Sequence, residues 1–439
     1  VSQHYYRREI VSMNFVPPGT GMRQHSKLNR WSASGWMTPS ILGILGLGLV
    51  LGSYEHTRGN LHKLRAHVAT NSDEPVRSDG PGGQDPVILT RHTNATVSDP
   101  EFTSVTLLPG RGFNLWQLTA FLPGHGEVPL LVSPPVADAS TLLAGTGNDA
   151  NGSGSTNFGA AFLAPFANQL TGVPAPGNGM LQSMWQTQRL AFPSSGTDNA
   201  LSVEGLLLSQ GADAVKVTPS QSGGSALANF HSGTFGGSWP GNTNLSILVE
   251  LSGHTLDLTV TAQNVGTAAE PFGIGWHPYF ALPFGDRANA SLLIPSSTRI
   301  VPADKHTGLP SGEIESTNDP ADQFYRAGGT RLGNISLDET YLSLHSAVLA
   351  DGPVAELRNP AAGYGLRITP LTPNIKTLRV IAPANKPWVS IGPNMNLPDP
   401  FGHEWDKLDS NGMVILQPGD SVEWKVRVEI FPLNHVPAS

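Results

Sequence analysis

Cysteine is absent from all 439 residues. That excludes disulfide scaffolds, thiol nucleophiles, iron–sulfur clusters and cysteine-based zinc sites. Charge is sparse too: 14% of residues are Asp, Glu, Lys or Arg against 39% hydrophobic, enough apolar content for a core and too little charge for a chain disordered over most of its length. Sustained helical periodicity is also missing. Outside the N-terminus no 12-residue stretch keeps an apolar repeat of 3.6 residues. A basic surplus is missing from the body of the chain. Residues 1–70 hold eight Lys and Arg against Glu9 and Glu55, which leaves 18 basic and 32 acidic residues for the remainder. An acidic body repels polyphosphate, so nucleic acid is not an expected partner.

What the chain has in excess is glycine and proline, 49 and 37 residues, about a fifth of the total where ordinary usage gives roughly 12%. Turn formers at that density interrupt helices and suit an all-β protein of many short strands. Alternation supports this. Ile247, Val249 and Leu251 alternate up to the Ser252-Gly253-His254 turn, and Leu256, Leu258, Val260 and Ala262 alternate after it, as a hairpin with one buried face should. Val422, Trp424, Val426, Val428 and Ile430 read as another strand, and Thr103–Leu108, Leu366–Thr369 and Leu378–Ile381 as further ones. Two Gly/Ser-rich stretches without pattern, Gly145–Gly159 and Ser220–Asn244, read as long surface loops. Trp116, Trp185, Trp276 and Trp388 are expected in the core.

Near the N-terminus, Arg23, Lys27 and Arg30 precede Ile41–Gly52 (ILGILGLGLVLG), a 12-residue run of Ile, Leu, Val and Gly. A basic flank and a short apolar run describe a secretory signal or uncleaved anchor better than a spanning helix, which needs about 20 apolar residues. The expected organisation is a basic segment at 1–69 carrying that signal or anchor, a flexible linker at 70–86 (Asp/Gly/Pro/Ser-rich) and one folded domain at 87–439. It implies export to the periplasm or beyond the cell, with membrane contact only through the N-terminal segment.

The most informative string is Pro271–Pro283, PFGIGWHPYFALP. It sets His277 between Trp276 and the Pro278-Tyr279-Phe280 step. Partial burial among aromatic rings can tune an imidazole for proton transfer near neutrality, and the same string also suits a packed structural histidine. The 264–282 stretch, NVGTAAEPFGIGWHPYFAL, resembles the aldose 1-epimerase (galactose mutarotase-like) family, in which a strand and an N-x-G turn precede H-x-Y-F. Phe162–Gly172 (FLAPFANQLTG) resembles the family's "PYANRI.G", and Leu201–Leu207 (LSVEGLL) its "HGL". Leu337–Leu342 (LDETYL), Val389–Phe401 (VSIGPNMNLPDPF) and Met413–Trp424 (MVILQPGDSVEW) resemble its "D-x-x-F" strand, its "E-P-x-x-x-x-P-D-A-F" loop and its closing "L-x-P-G-E" strand. The pieces stand in the family's order over roughly residues 87–432.

The resemblance implies a large antiparallel β-sandwich, the galactose mutarotase-like supersandwich. It also implies interconversion of the α and β anomers of a free aldose such as a hexose. A carboxylate takes the C1 hydroxyl proton while a histidine protonates the ring oxygen, with no metal and no cofactor. His277 falls on the family's acid, Asp338 on the aspartate that holds sugar hydroxyls, and Asn168 beside the sugar clamp. Three positions depart from the pattern. Gly392 stands where the family has its base Glu, Glu204 where it has the first His, and Gln169 where it has the clamping Arg. No Glu lies between Asn385 and His403, so a shift of register does not restore the base. Asp399, in the same loop, and Glu204 are the substitutes to test. Two functions follow: an exported epimerase using His277, Asp399 or Glu204 as acid and base, with Asp338, Asn168 and Gln169 on the sugar, or an inactive carbohydrate-binding or self-associating protein on the same scaffold.

Overall fold

In the computed structural model, residues 78–433 are described apart from 93–97, 177–178, 196–200, 203, 286, 304–307 and 318–322. The expected signal or anchor at 41–52 and residues 70–77 of the expected linker lie outside the described residues. Among the described residues the end of the expected linker already packs on the folded body. Pro81 is buried, and Gln84 Nε2 donates to the Ala212 carbonyl at 2.8 Å.

The alternation read from the sequence becomes sheet. Along Thr255–Asn264, Leu256, Leu258, Val260 and Ala262 are buried, and along Ser421–Pro432 the buried set is Val422, Trp424, Val426, Val428 and Ile430. The two strands pair antiparallel with Val260 opposite Trp424 and Leu258 opposite Val426, so one face of both is apolar. They lie within a nine-stranded sheet that runs Thr330–Arg331, Ser291–Leu293, Ala355–Asn359, Tyr364–Pro370, Ser421–Pro432, Thr255–Asn264, Thr243–Leu251, Gly223–Gly233, Ala214–Ser220.

The second large sheet, of twelve strands, runs Val87–Thr90, Glu101–Leu108, Asn114–Leu122, Ala160–Leu163, Gly275–Pro278, Trp388–Asn394, Thr377–Ala382, Leu337–Leu342, Thr298–Pro302, Pro310–Ser316. Phe280–Ala281 and Gly126–Pro129 pair onto it at the side. The sheets share one core. The Phe162 ring meets Trp424 edge-on at 6.4 Å, and Trp424 Nε1 donates to the Pro393 carbonyl, joining the two layers. The expected large antiparallel β-sandwich is therefore the fold, and a seven-residue helix, Val136–Leu142, is the only α-helix among the described residues.

One expectation needs correction. Ser220–Asn244 is mostly strand: Gly223–Gly233 pairs with both Ala214–Ser220 and Thr243–Leu251, and its small residues Ala226 and Ala228 alternate inward with Phe230. Alanine and glycine are too small to announce that alternation in a hydrophobicity pattern, yet they let the sheets approach. Gly145–Gly159 is a strand-free loop as expected, and it is anchored. Asp149 is buried, accepts from Arg111 Nη2 at 2.5 and 2.7 Å, and accepts from the backbone N–H of Gly145 and Gly154.

Candidate active site

The middle of the twelve-stranded sheet carries the site. His277 sits on Gly275–Pro278, between Ala160–Leu163, where it opposes Ala161, and Trp388–Asn394. Only 8% of His277 is exposed. Tyr279, two residues on, stacks against its ring at 4.8 Å, and Trp388 packs edge-on against Tyr279 at 4.8 Å. The ring is thereby fixed from one side, and Glu204 fixes its edge: His277 Nδ1 and Glu204 Oε2 are 2.7 Å apart.

Burial pushes the Glu204 carboxyl up, but the charge and hydrogen bond of His277, with the Arg379 guanidinium, outweigh it and hold the group below its ordinary value. Glu204 is therefore a carboxylate, and a carboxylate only accepts. His277 Nδ1 must carry the proton and donate to it. Nε2 is left as an acceptor in the neutral ring and a donor in the imidazolium. Burial, and then the negative charge of Glu204, push Tyr279 well up, so it stays a neutral phenol.

His277 lines a small polar cavity of about 30 Å³ together with Asn168, Glu204, Arg379, Ser390 and Gly392 among others, and its Nε2 has no partner in the chain. A volume of that size holds a water molecule. Arg379 pairs with Asp338, whose carboxylate is half exposed. Arg379 lies directly across the strand pair from Gly392, and Asp338 across from Ile381.

The structure thus brings together His277, Glu204 and Asn168, and joins Asp338 to them through Arg379. It does not bring Asp399. That carboxylate is buried and accepts from Thr171 N at 2.9 Å and Thr171 Oγ1 at 2.6 Å. It lines a separate open groove of about 720 Å³ with Thr171, Arg189, Phe401 and Glu404. Burial raises its pKa and the two Thr171 bonds oppose that rise. Asp399 as a base working with His277 is therefore corrected: the loop after Pro398 turns it toward Thr171, with φ at 46°. Gln169 is also displaced, its Nε2 donating to the Ser202 carbonyl at 3.2 Å.

Gly392 does line the cavity, but a β-carbon there would lie 2.5 Å from the Trp276 carbonyl oxygen, closer than atoms tolerate. The backbone has closed over the space a longer side chain needs. Arg379 and Ser390 were not singled out from the sequence. Their signal was available in the period of two: Ser390 stands two residues before Gly392 and so shares its face, and Arg379 interrupts an apolar strand. Among the described residues no group of three or more His, Asp or Glu is arranged to hold a metal ion.

Comparison with known proteins agrees with this architecture. Residues 216–429 match the family model for aldose 1-epimerase, so the resemblance drawn from the sequence stands. The matched span contains His277, Asp338, Arg379, Ser390 and Gly392 and begins after Asn168 and Glu204. A galactose mutarotase-like protein from Clostridium acetobutylicum superposes with a TM-score of 0.61 at 16% identity, over 76% of this chain and 95% of its own. An aldose epimerase homologue from C. elegans gives 0.59 at 15% identity, covering 80% of this chain and 99% of its own. Galactose 1-epimerase from Lactobacillus acidophilus gives 0.55 at 15%, with coverage of 80% and 99%. At such identities the likeness shows a shared fold. No curated protein sequence matches the chain.

Proposed function

On a chain that carries the aldose 1-epimerase pattern over residues 216–429, we propose a mutarotase-like function in which the Glu204–His277 pair is the acid–base unit acting on a free aldose. The observation that carries it is the buried, carboxylate-held imidazole that lines a polar cavity and whose second nitrogen has no partner in the chain. His277 in its imidazolium form donates from Nε2 to the ring oxygen, and Glu204 stabilises the charge on Nδ1. The C1 hydroxyl proton leaves to water or to the rim carboxylate Asp338, the C1–O5 bond opens, and C1 rotates. Closure on the other face returns both protons. Arg379 and Asp338, on neighbouring strands at the rim, hold sugar hydroxyls. With Asp338 neutralising Arg379 and Glu204 facing His277, the site offers no spare cation for a phosphate, which favours a neutral sugar. Export belongs to the same reading and is supported by the basic flank and apolar run of residues 23–52. Fractionation of expressing cells tests it.

Polarimetry of freshly dissolved α-D-glucose and α-D-galactose tests the chemistry. Acceleration over buffer by the wild type and its loss in His277→Ala support the proposal, and a buffer rate with wild type across several aldoses overturns it. A second reading, sugar binding without turnover, is favoured by one observation: the cavity at His277 is far below the roughly 300 Å³ of an ordinary ligand pocket, and no carboxylate other than Glu204 lines it. Calorimetric binding of aldoses at a buffer rate of mutarotation would establish that reading in place of the first.

A further inference from the structure

Three buried polar atoms, each on a residue that lines this cavity, make no hydrogen bond within the chain: His277 Nε2, Asn168 Nδ2 and Ser390 Oγ. Ser390 is fully buried, and His277 is more than nine-tenths buried. An unmet buried hydroxyl or ring nitrogen costs about 1–3 kcal/mol, and three lining one small space form a pattern rather than an accident. The orientation of Asn168 is set by Asn394, whose Nδ2 donates to Asn168 Oδ1 at 3.4 Å, leaving the Asn168 amide N–H groups for the cavity. Asn168 also holds φ at 60°, a left-handed conformation that asparagine tolerates better than most residues, which sets its side chain on this wall. The inventory is therefore a donor from Asn168, a rotatable hydroxyl from Ser390 that donates or accepts, and a histidine nitrogen that does either according to protonation.

We propose that these three groups form a binding site for a single hydroxyl oxygen: water in the free protein, and the anomeric hydroxyl of the sugar when substrate displaces it. Three partners and about 30 Å³ match what one buried water requires, two to four hydrogen bonds and room for one molecule. Gly392 lines the same cavity, and with no side chain there it offers no group to meet His277 Nε2. Ser390 thereby becomes a positioning residue, two places along the same strand face from Gly392. The oxygen site itself stands on the free protein alone, whereas its use by a sugar rests on the function proposed above. The anomeric oxygen and the ring oxygen share one carbon, so a sugar that places the first in this site presents the second beside His277.

The water half is tested on the unliganded protein. A high-resolution crystal structure should show one oxygen within about 2.6–3.2 Å of Ser390 Oγ and His277 Nε2. Ser390→Ala should lower the thermal midpoint, because it removes a partner from a satisfied network, and Ser390→Thr, which keeps the hydroxyl, should recover most of the loss. A cavity without density, with Ser390→Ala as stable as wild type or more so, would overturn the site, since deleting a hydroxyl that truly lacks a partner costs nothing. The sugar half is tested by calorimetry of an aldose against its 1,5-anhydro analogue, which lacks the anomeric hydroxyl. Wild type should prefer the aldose by roughly 5-fold or more, and Ser390→Ala should lower that preference by roughly 5-fold, the value of one hydrogen bond. Equal binding of both ligands to wild type would overturn the displacement by sugar while leaving the water site standing. No binding of any aldose would sink the proposed function itself, and the crystal structure would still decide the water site.

Discussion

Two hollows flank the short segment from Asn168 to Thr171, and they are opposites. The one on the His277 side is about 30 Å³, with polar atoms on its wall that no protein group meets. The one on the Asp399 side is about 720 Å³ and open, and its buried carboxylate is fully engaged by Thr171. Size alone would choose the second. Chemistry chooses the first, because a group already satisfied by its neighbours has nothing left to offer a substrate, whereas an imidazole with one nitrogen anchored and the other open is poised to move a proton.

The largest way to break this comparison is to remove the open nitrogen. His277→Ala should cut the mutarotation rate by about 10²–10⁴-fold, the ordinary value of a general acid, as read by polarimetry. Glu204→Gln should follow with a loss of roughly 10-fold or more and a changed pH–rate profile, because the imidazolium loses its counter-charge. The same variant sharpens the electrostatics. With its folded pKa held below the ordinary 4.5, Glu204 contributes stability that is full above pH 4.5 and is lost as pH falls through the folded value, so Glu204→Gln should flatten acid denaturation.

Glu270 supplies a control of opposite sign. It is fully buried with Thr243 as its hydrogen-bond partner, and burial pushes it up to about 7. The folded protein keeps that proton where the unfolded chain gives it up, so the contribution of Glu270 to stability is full below pH 4.5 and declines by up to roughly 3 kcal/mol as pH rises through 7. Glu270→Gln should remove the decline in urea titrations across that range. Gly392→Ala, with its new carbon against the Trp276 carbonyl, should cost about 1–3 kcal/mol in the same measurement, and Gly392→Glu should add no rate. Smallest of all, Asp399→Asn should change the mutarotation rate by less than about 2-fold.

The sheets were legible wherever large apolar residues alternate, as from Leu256 to Ala262 and from Val422 to Ile430. They were hidden where the inward positions are alanine, as in Gly223–Gly233, because burial there comes from close approach of the sheets and leaves no hydrophobic signature. The chemistry was half legible. His277 stood out among its aromatic neighbours, and Glu204 and Asp399 were both open as substitutes for the absent base. Choosing between them required knowing that 73 positions of sequence separate Glu204 from His277 yet a hydrogen bond joins them, and that Thr171 claims Asp399. Such partnerships are made by loops, which carry no periodic pattern. Arg379 and Ser390 were unread for a related reason: each is one polar residue within an apolar strand, and only the neighbouring strands reveal that both line the same cavity.

The most direct measurement of the central claim is polarimetry of fresh α-D-galactose with three proteins side by side: wild type, His277→Ala and Asp399→Asn. Wild type and Asp399→Asn should accelerate mutarotation at nearly equal rates, with His277→Ala at the rate of buffer. Acceleration by His277→Ala together with its loss in Asp399→Asn would move the chemistry to the larger groove and contradict the account.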